Sequence, residues 1–248
     1  MTIFKHQNRS RLLTMLLMAM IAFAIELPSA WSQQMVGGRK YNSGNQFYHP
    51  LNQRTPPGVA GQWAAISGQV QAGYIQPMQV SLPSKGVVTF YAGSVDRKIQ
   101  KASPAPIGFS VGYVYRIKIS GMPEFPGVEL YPTIELIDRL HPPAGLAETY
   151  PVPVSLNPED IELALSGRMV TKVVYLERPQ TAVPAKFERQ PTLAITAKKN
   201  LIAEADLLGR PMAIIRMGGR LPSTRGDDPA FFGSGAPVVE LKNNRTQN

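Results

Sequence analysis

Apolar and polar residues alternate along the middle of the chain, most regularly between Ile107 and Ile119. Every second position of this stretch is aliphatic or aromatic, and the residues between include Arg116 and Lys118. Successive side chains of a β-strand point to opposite faces. The pattern therefore predicts a long strand, or two strands bent at Gly112, with one buried face and one in solvent.

Similar but shorter runs occur elsewhere, separated by glycine and proline. Together they predict about eight or nine strands. Many short strands with glycine and proline turns favour a mainly β fold, either an antiparallel β-sandwich or a partly open barrel. Besides the stretch above, the predicted strands are 78–82, 87–91, 130–136, 152–154, 169–176, 193–197 and 211–217.

Two short helices are predicted between these strands. Asn157 caps the first, Pro158 takes its first helical position, and Gly167 ends it. The second covers about 201–208, and Gly209 is expected to adopt a left-handed conformation at its end.

The first 32 residues have the order of parts of a secretory signal peptide. Lys5, Arg9 and Arg11 precede an uncharged apolar run at 12–25, and small residues follow. We expect cleavage after Ser32, with cleavage two residues earlier as the alternative. An uncleaved membrane anchor normally needs about 20 apolar residues, so the run at 12–25 is too short for one. Export to the periplasm, the cell envelope or the extracellular space is therefore predicted, with no membrane span after cleavage.

The remaining chain divides by composition. Residues 33–60 are polar and rich in glycine and asparagine, which predicts a flexible arm. Residues 61–217 contain the periodic segments and predict a single β-rich domain. Residues 218–248 predict a mostly disordered tail, in which Phe231-Phe232 and Val238-Val239 could dock locally.

Composition narrows the function classes. The chain has a formal net charge of +9, but its basic residues are scattered, whereas nucleic-acid binders show a denser basic stripe. No nucleic-acid partner is therefore expected. There is no cysteine, which excludes disulfides, thiol catalysis and thiolate metal sites.

No set of residues predicts catalysis. His141 is the only histidine of the predicted domain, and no serine stands in a nucleophile motif beside a rigid base. Glu129 and Glu135 would lie on one strand face about 20 Å apart, too far for a glycosidase pair. No phosphate-binding loop and no histidine pair at metal-ligand spacing occur. We expect no catalytic residue, no cofactor and no metal.

Surface binding remains open. Leu130, Ile134 and Leu136 are expected in the core, which leaves Glu129, Thr133, Glu135 and Arg139 on the solvent face of the same strand. Exposed rings beside Arg116 and Lys118 would favour stacking on sugars, and buried rings would count against it. The aromatics in question are Trp63, Tyr74, Tyr91, Tyr113, Tyr115, Tyr131 and Tyr175. The candidate surface residues are Arg116, Lys118, Glu135, Arg139 and His141.

Two segments carry a family resemblance. They are PGVELYPTIELIDRLHPP at 126–143 and LALSGRMVTKVVYLE at 163–177. Together they resemble uncharacterised exported proteins of planctomycete-type bacteria. The resemblance covers the folded region and does not extend into the arms. The resemblance implies export and a bacterial cell envelope, and it transfers no functional residue.

Three functions are consistent with these features. The first is a non-enzymatic exported module with a structural or protein-interaction role at the cell envelope. The second is a module that binds an envelope polysaccharide or another anionic polymer. The third is a hydrolase using carboxylates or His141, which would require a concave site with converging acids. The partner is thus an envelope protein or a polysaccharide of unknown identity.

Overall fold

A computed structural model describes residues 48, 50–68, 70–71, 73–178, 192–194, 199–224, 228–233 and 235–241. Within them the protein is mainly β, as predicted, with ten strands in two sheets, few short helices and no closed barrel. The strands are β1 (Ile75–Ser81), β2 (Val87–Tyr91), β3 (Lys98–Ala102), β4 (Ala105–Ser110), β5 (Val114–Ser120), β6 (Thr133–Leu136), β7 (Val152–Ser155), β8 (Val170–Glu177), β9 (Gly209–Met217) and β10 (Val238–Glu240). The helices are α1 (Val59–Ile66), α2 (Pro158–Leu165), α3 (Leu201–Leu208) and α4 (Pro229–Phe232).

The smaller sheet has the strand order β10-β4-β1-β7 and the larger sheet the order β3-β2-β5-β6-β9-β8. All pairs of the larger sheet are antiparallel. In the smaller sheet β1 and β7 are parallel, whereas an entirely antiparallel sandwich was predicted. A parallel pair needs a long crossover, and here the chain passes through β2–β6 between the two strands.

The alternating stretch at 107–119 forms two strands in different sheets. Gly112 has φ 91°, a left-handed conformation suited to glycine, and the chain passes there from β4 to β5. Tyr115 on β5 then stacks on Phe109 of β4, with ring centroids 3.8 Å apart. The change of sheet at Gly112 thus places both buried faces against one core.

That core lies between the sheets. Its buried side chains come from both of them, including Met78 and Ile107 of the smaller sheet and Phe90 and Ile117 of the larger. Phe90 and Phe109 meet edge to face across the core, with centroids 5.9 Å apart. Apolar burial on this scale is the main favourable contribution to folding.

The second face of the larger sheet is also covered, although the alternation predicted a solvent-exposed face. Tyr48 and Leu51 pack there with α1 and α3 in a separate buried cluster. A further cluster of aromatic side chains from β2, the segment before β6 and α4 covers another part of this face. Residues beyond both ends of the predicted domain therefore bury polar positions of the sheet.

Parts of both the predicted N-terminal arm and the predicted C-terminal tail belong to the described fold. The predicted signal peptide at 1–32 and most of the predicted arm lie outside the described residues. Within the arm, however, Tyr48 and Leu51 are buried and α1 begins at Val59. Within the predicted tail, α4 and β10 join the fold, which agrees with local docking of Phe231-Phe232 and Val238-Val239.

Most predicted elements occur close to their expected positions. The helix after Asn157 forms as α2, and the Asn157 N–H donates to the Asp160 carboxylate at 2.8 Å. Residues 192–194 form no strand, and 195–197 lie outside the described residues. The polar strand β3 was not anticipated, because among its residues KIQKA only Ile99 has a large apolar side chain.

The reason given for Gly209 was wrong. Its φ is −172°, which is extended backbone and not a left-handed helix exit. A Cβ at this position would lie 2.2 Å from the Leu176 carbonyl oxygen of the paired strand. Glycine is required here by the close approach of β8 and β9.

Candidate functional site

Arg116 and Lys118 lie on the face of β5 that points away from the main core, as their alternation predicted. Arg116 is half-buried, and its guanidinium is held by two backbone carbonyls. Nε donates to the Phe231 oxygen at 3.0 Å, and Nη1 donates to the Tyr131 oxygen at 2.8 Å. Its Cζ also lies 4.4 Å from the centroid of the Phe231 ring, a cation–π distance.

Lys118 is neutralised locally. Its Nζ lies 2.7 Å from Glu129 Oε1, and the Tyr131 hydroxyl donates to the other oxygen of that carboxylate at 3.2 Å. The hydrogen bond from Lys118 holds the pKa of Glu129 below its usual value. Lys118 and Glu129 thus form a partly exposed ion pair, in which Lys118 belongs to β5 and Glu129 to the segment before β6.

The aromatic rings beside Arg116 and Lys118 are buried. They are Tyr91, Tyr131, Phe231 and Phe232, which pack edge to face and tilted against one another. Among the aromatics considered above, Trp63 and Tyr113 are exposed, but they lie on α1 and after Gly112. The condition stated for sugar stacking beside Arg116 and Lys118 is therefore not met.

Arg116 carries its charge in an unfavourable environment. Burial is the larger cause, and with the neighbouring Arg220 it lowers the pKa to about 10 against the opposing effect of Asp228. Arg220 is exposed, and its Cζ lies 5.4 Å from the centroid of the same Phe231 ring. Within the described part of the chain, neither arginine forms an ion pair with a carboxylate.

Glu135 is not a surface residue, and that prediction was wrong. Its side chain is 0% exposed, and Oε2 pairs with Arg216 Nη1 at 2.7 Å. Oε1 accepts the Gly61 N–H at 2.8 Å. The physical reason is that α1 and the segment before it cover β6, so its polar face is buried. Glu135 has a structural role in this arrangement.

Arg139 and His141 lie apart from Arg116. Arg139 stacks over Tyr74, with Cζ 4.9 Å from the ring centroid, and His141 is exposed. Near them Asp138 is buried, and desolvation raises its pKa although Arg210 and His141 act against the rise. The five predicted surface residues therefore do not form one site. Sequence reasoning missed Arg220, because it follows β9 in a segment assigned to the tail.

The outer strand β8 presents a second candidate surface. Met169, just before it, is 71% exposed, and Leu176 near its end is 45% exposed. Leu165 at the end of α2 and Leu207 and Leu208 at the end of α3 are also exposed, on two helices that contact β8. We call these five residues, together with the outer edge of β8, the β8 surface.

The remaining edge strands of the two sheets are less suited to pairing. β3 carries the exposed Lys98, β7 contains Pro153, and β10 has only three residues. Charges, proline and short length are the usual ways in which proteins protect exposed sheet edges. β8 is eight residues long, contains no proline, and its Lys172 is paired with Asp160 at 2.6 Å.

The described residues contain no cluster of acidic or histidine side chains that could hold a metal ion. Over the same ranges, no helix is long and apolar enough to cross a membrane. No protein-family model, no curated protein and no solved structure matches the chain. The resemblance carried by 126–143 and 163–177 thus stays a prediction.

Proposed function

We propose that this chain is an exported, non-enzymatic module that binds an extended segment of a partner protein at the cell envelope, along the β8 surface. The observation that carries this proposal is the combination of a proline-free eight-residue edge strand with exposed apolar side chains at both of its ends. Within the described residues, β9 pairs with one edge of β8 and no strand pairs with the other.

Strand addition fits this geometry. An extended peptide can hydrogen-bond to the free backbone groups of an edge strand, while side-chain contacts supply selectivity. Met169 and Leu176 lie seven residues apart at the two ends of β8, and the strand alternation places them on opposite faces, so they would contact different ends and different faces of such a peptide.

Three carboxylates that could perform acid–base chemistry have structural partners. Glu135 pairs with Arg216, Asp138 with Arg210, and Asp160 with Lys172. These contacts support a binding role over the hydrolase considered above. The buried rings beside Arg116 and Lys118 likewise favour a protein partner over a stacked polysaccharide.

Site-specific photocrosslinking in the producing cell tests the proposal. A benzoylphenylalanine at Met169 and another at Leu176 should each give the same discrete protein adduct in the envelope fraction. A matched probe at the largely exposed Ile66 on α1 should not give it. Absence of an adduct at both β8 positions, or the same adduct at Ile66, would contradict the proposal, as would retention on envelope polysaccharide alone.

A further inference from the structure

We propose that Arg116 and Arg220 form an oxyanion-binding site above the Phe231 ring, separate from the β8 surface. The ligand class is a group with several negatively charged oxygens, either a phosphate or a carboxylate. The site combines one rigid, half-buried guanidinium with one exposed guanidinium, both within 5.4 Å of the same ring centroid.

The rigidity of Arg116 is the first support. Two hydrogen bonds to the backbone carbonyls of Tyr131 and Phe231 and the contact with the Phe231 ring fix the guanidinium plane. Phe231 itself is 1% exposed, so the ring is a fixed platform. A preorganised guanidinium loses little freedom when it binds an oxyanion, and its planar donors match two oxygens of one group.

The partners of Arg116 are the second support. Both carbonyls are neutral, so they satisfy two donors without balancing the charge. Nη2 has no hydrogen-bond partner among the described residues, and neither does the guanidinium of Arg220. Donors therefore remain for an external ligand.

The electrostatics are the third support. Arg116 experiences both desolvation and the positive charge of Arg220, and Asp228 offsets this only in part. Lys118 on the same strand face is paired with Glu129, so the positive charge of the site comes from the two arginines. A bound oxyanion would interact favourably with both guanidinium groups, which have no carboxylate partner among the described residues, through charge-assisted hydrogen bonds that are stronger than neutral ones.

An NMR titration of the 248-residue chain tests the site. Sodium phosphate and trisodium citrate are added in separate titrations at constant ionic strength maintained with sodium chloride. We expect saturable shifts of the Arg116 Nε–H and of the Phe231 amide. Saturable shifts with phosphate alone would assign a phosphate-type ligand, and saturable shifts with citrate alone would assign a carboxylate-type ligand. Saturable shifts with both anions would indicate a general oxyanion site. Each of these three results supports the proposal.

Arg220→Gln is the informative variant, because this exposed side chain contributes no hydrogen bond to the described fold. It should weaken binding at least tenfold. Arg168→Gln is the matched control, since it removes one exposed positive charge near β8, and it should change binding less than twofold. Shifts that never saturate with either anion, or equal binding by Arg220→Gln and the unaltered protein, would overturn the proposal.

Discussion

Glu135 Oε2 and Arg216 Nη1 lie 2.7 Å apart, with side chains 0% and 7% exposed. The two residues stand on the adjacent strands β6 and β9. Arg216 Nη2 also donates to the Thr55 oxygen at 3.1 Å, and Glu135 accepts the Gly61 N–H. This buried pair therefore connects the larger sheet to the chain around α1.

Replacing one member of this pair should be strongly destabilising. Glu135→Gln leaves Arg216 buried without a counter-charge, for which we expect a loss of about 3–5 kcal/mol in the free energy of unfolding. Urea denaturation measures the loss. Glu204→Gln, which breaks the more exposed pair with Lys199, should cost below about 1 kcal/mol.

The double variant Glu135→Leu with Arg216→Met checks the physical cause. It removes both charges, so it should be more stable than Glu135→Leu alone. Recovery should be incomplete, because the Gly61 N–H and the Thr55 carbonyl lose their partners. A double variant no more stable than the single one would show that the unpaired charge is not the source of the loss.

The close approach of Gly61 to Gly112 makes a second prediction. A Cβ on Gly61 would lie 2.5 Å from the Gly112 carbonyl oxygen. Gly61→Ala should therefore shift α1 away from the sheet and cost about 1–3 kcal/mol. Gly219→Ala, whose Cβ would meet nothing closer than 4.0 Å, should change stability by less than about 0.5 kcal/mol. Equal thermal stability of the two variants would contradict this account.

Phe231 should matter to the stability of the whole domain although it lies in the predicted tail. It is 1% exposed and packs against Tyr131, Phe232 and the Arg116 guanidinium. Phe231→Ala should cost about 3–5 kcal/mol. Leu221→Ala, at an exposed position of the same region, should cost less than about 0.5 kcal/mol in the same denaturation experiment.

Alkaline pH should destabilise the fold through buried tyrosines. Desolvation raises the pKa of Tyr115 and of Tyr131 to about 12, from an ordinary value of 10.0. A raised folded-state pKa contributes stability that is complete below pH 10 and is lost as pH rises towards 12. Arg116 acts oppositely above pH 10 because its pKa is lowered. Desolvation also raises the pKa of Tyr48, Tyr91 and Tyr175, so the tyrosines together should determine the net decline.

Tyr115→Phe isolates one of these groups. The variant should be less stable at pH 8, because the Ser110 N–H loses its acceptor, the Tyr115 hydroxyl, at 2.8 Å. Between pH 10 and 12 its stability should fall less steeply, by about 1 kcal/mol per pH unit. Unfolding curves measured across this range give the slope, and an unchanged slope would show that Tyr115 does not titrate in the folded state as described.

The sequence-based expectations succeeded where local signals are strong. The bounds of β2 (Val87–Tyr91) and α3 (Leu201–Leu208) match the predicted ones, and α2 begins directly after Asn157. Period-two alternation and helix capping depend on neighbours in the chain, so one sequence is enough to detect them. The pairing of β1 with β7 depends on residues far apart in sequence and leaves no comparable local signal.

The candidate sites likewise depend partly on local sequence patterns and partly on contacts between distant residues. Alternation correctly placed Arg116 and Lys118 on the face of β5 away from the main core. The alternation could not predict that Arg220 contacts the Phe231 ring, because Arg220 follows β9 and Phe231 belongs to α4. The apolar residues of the β8 surface were visible in the sequence, but that they flank an outer strand became evident only from the strand order.

By itself, the sequence determined a mainly β protein without cysteine, the approximate positions of its strands, and which residues of each strand share a face. Only the tertiary structure decided which of those faces meet solvent. A carboxylate such as Glu135 can be either exposed or buried. In water it is hydrated, and in the interior it is stable when Arg216 and the Gly61 N–H form an ion pair and a hydrogen bond with it. Burial is a property of the covering segments, and those come from distant parts of the chain.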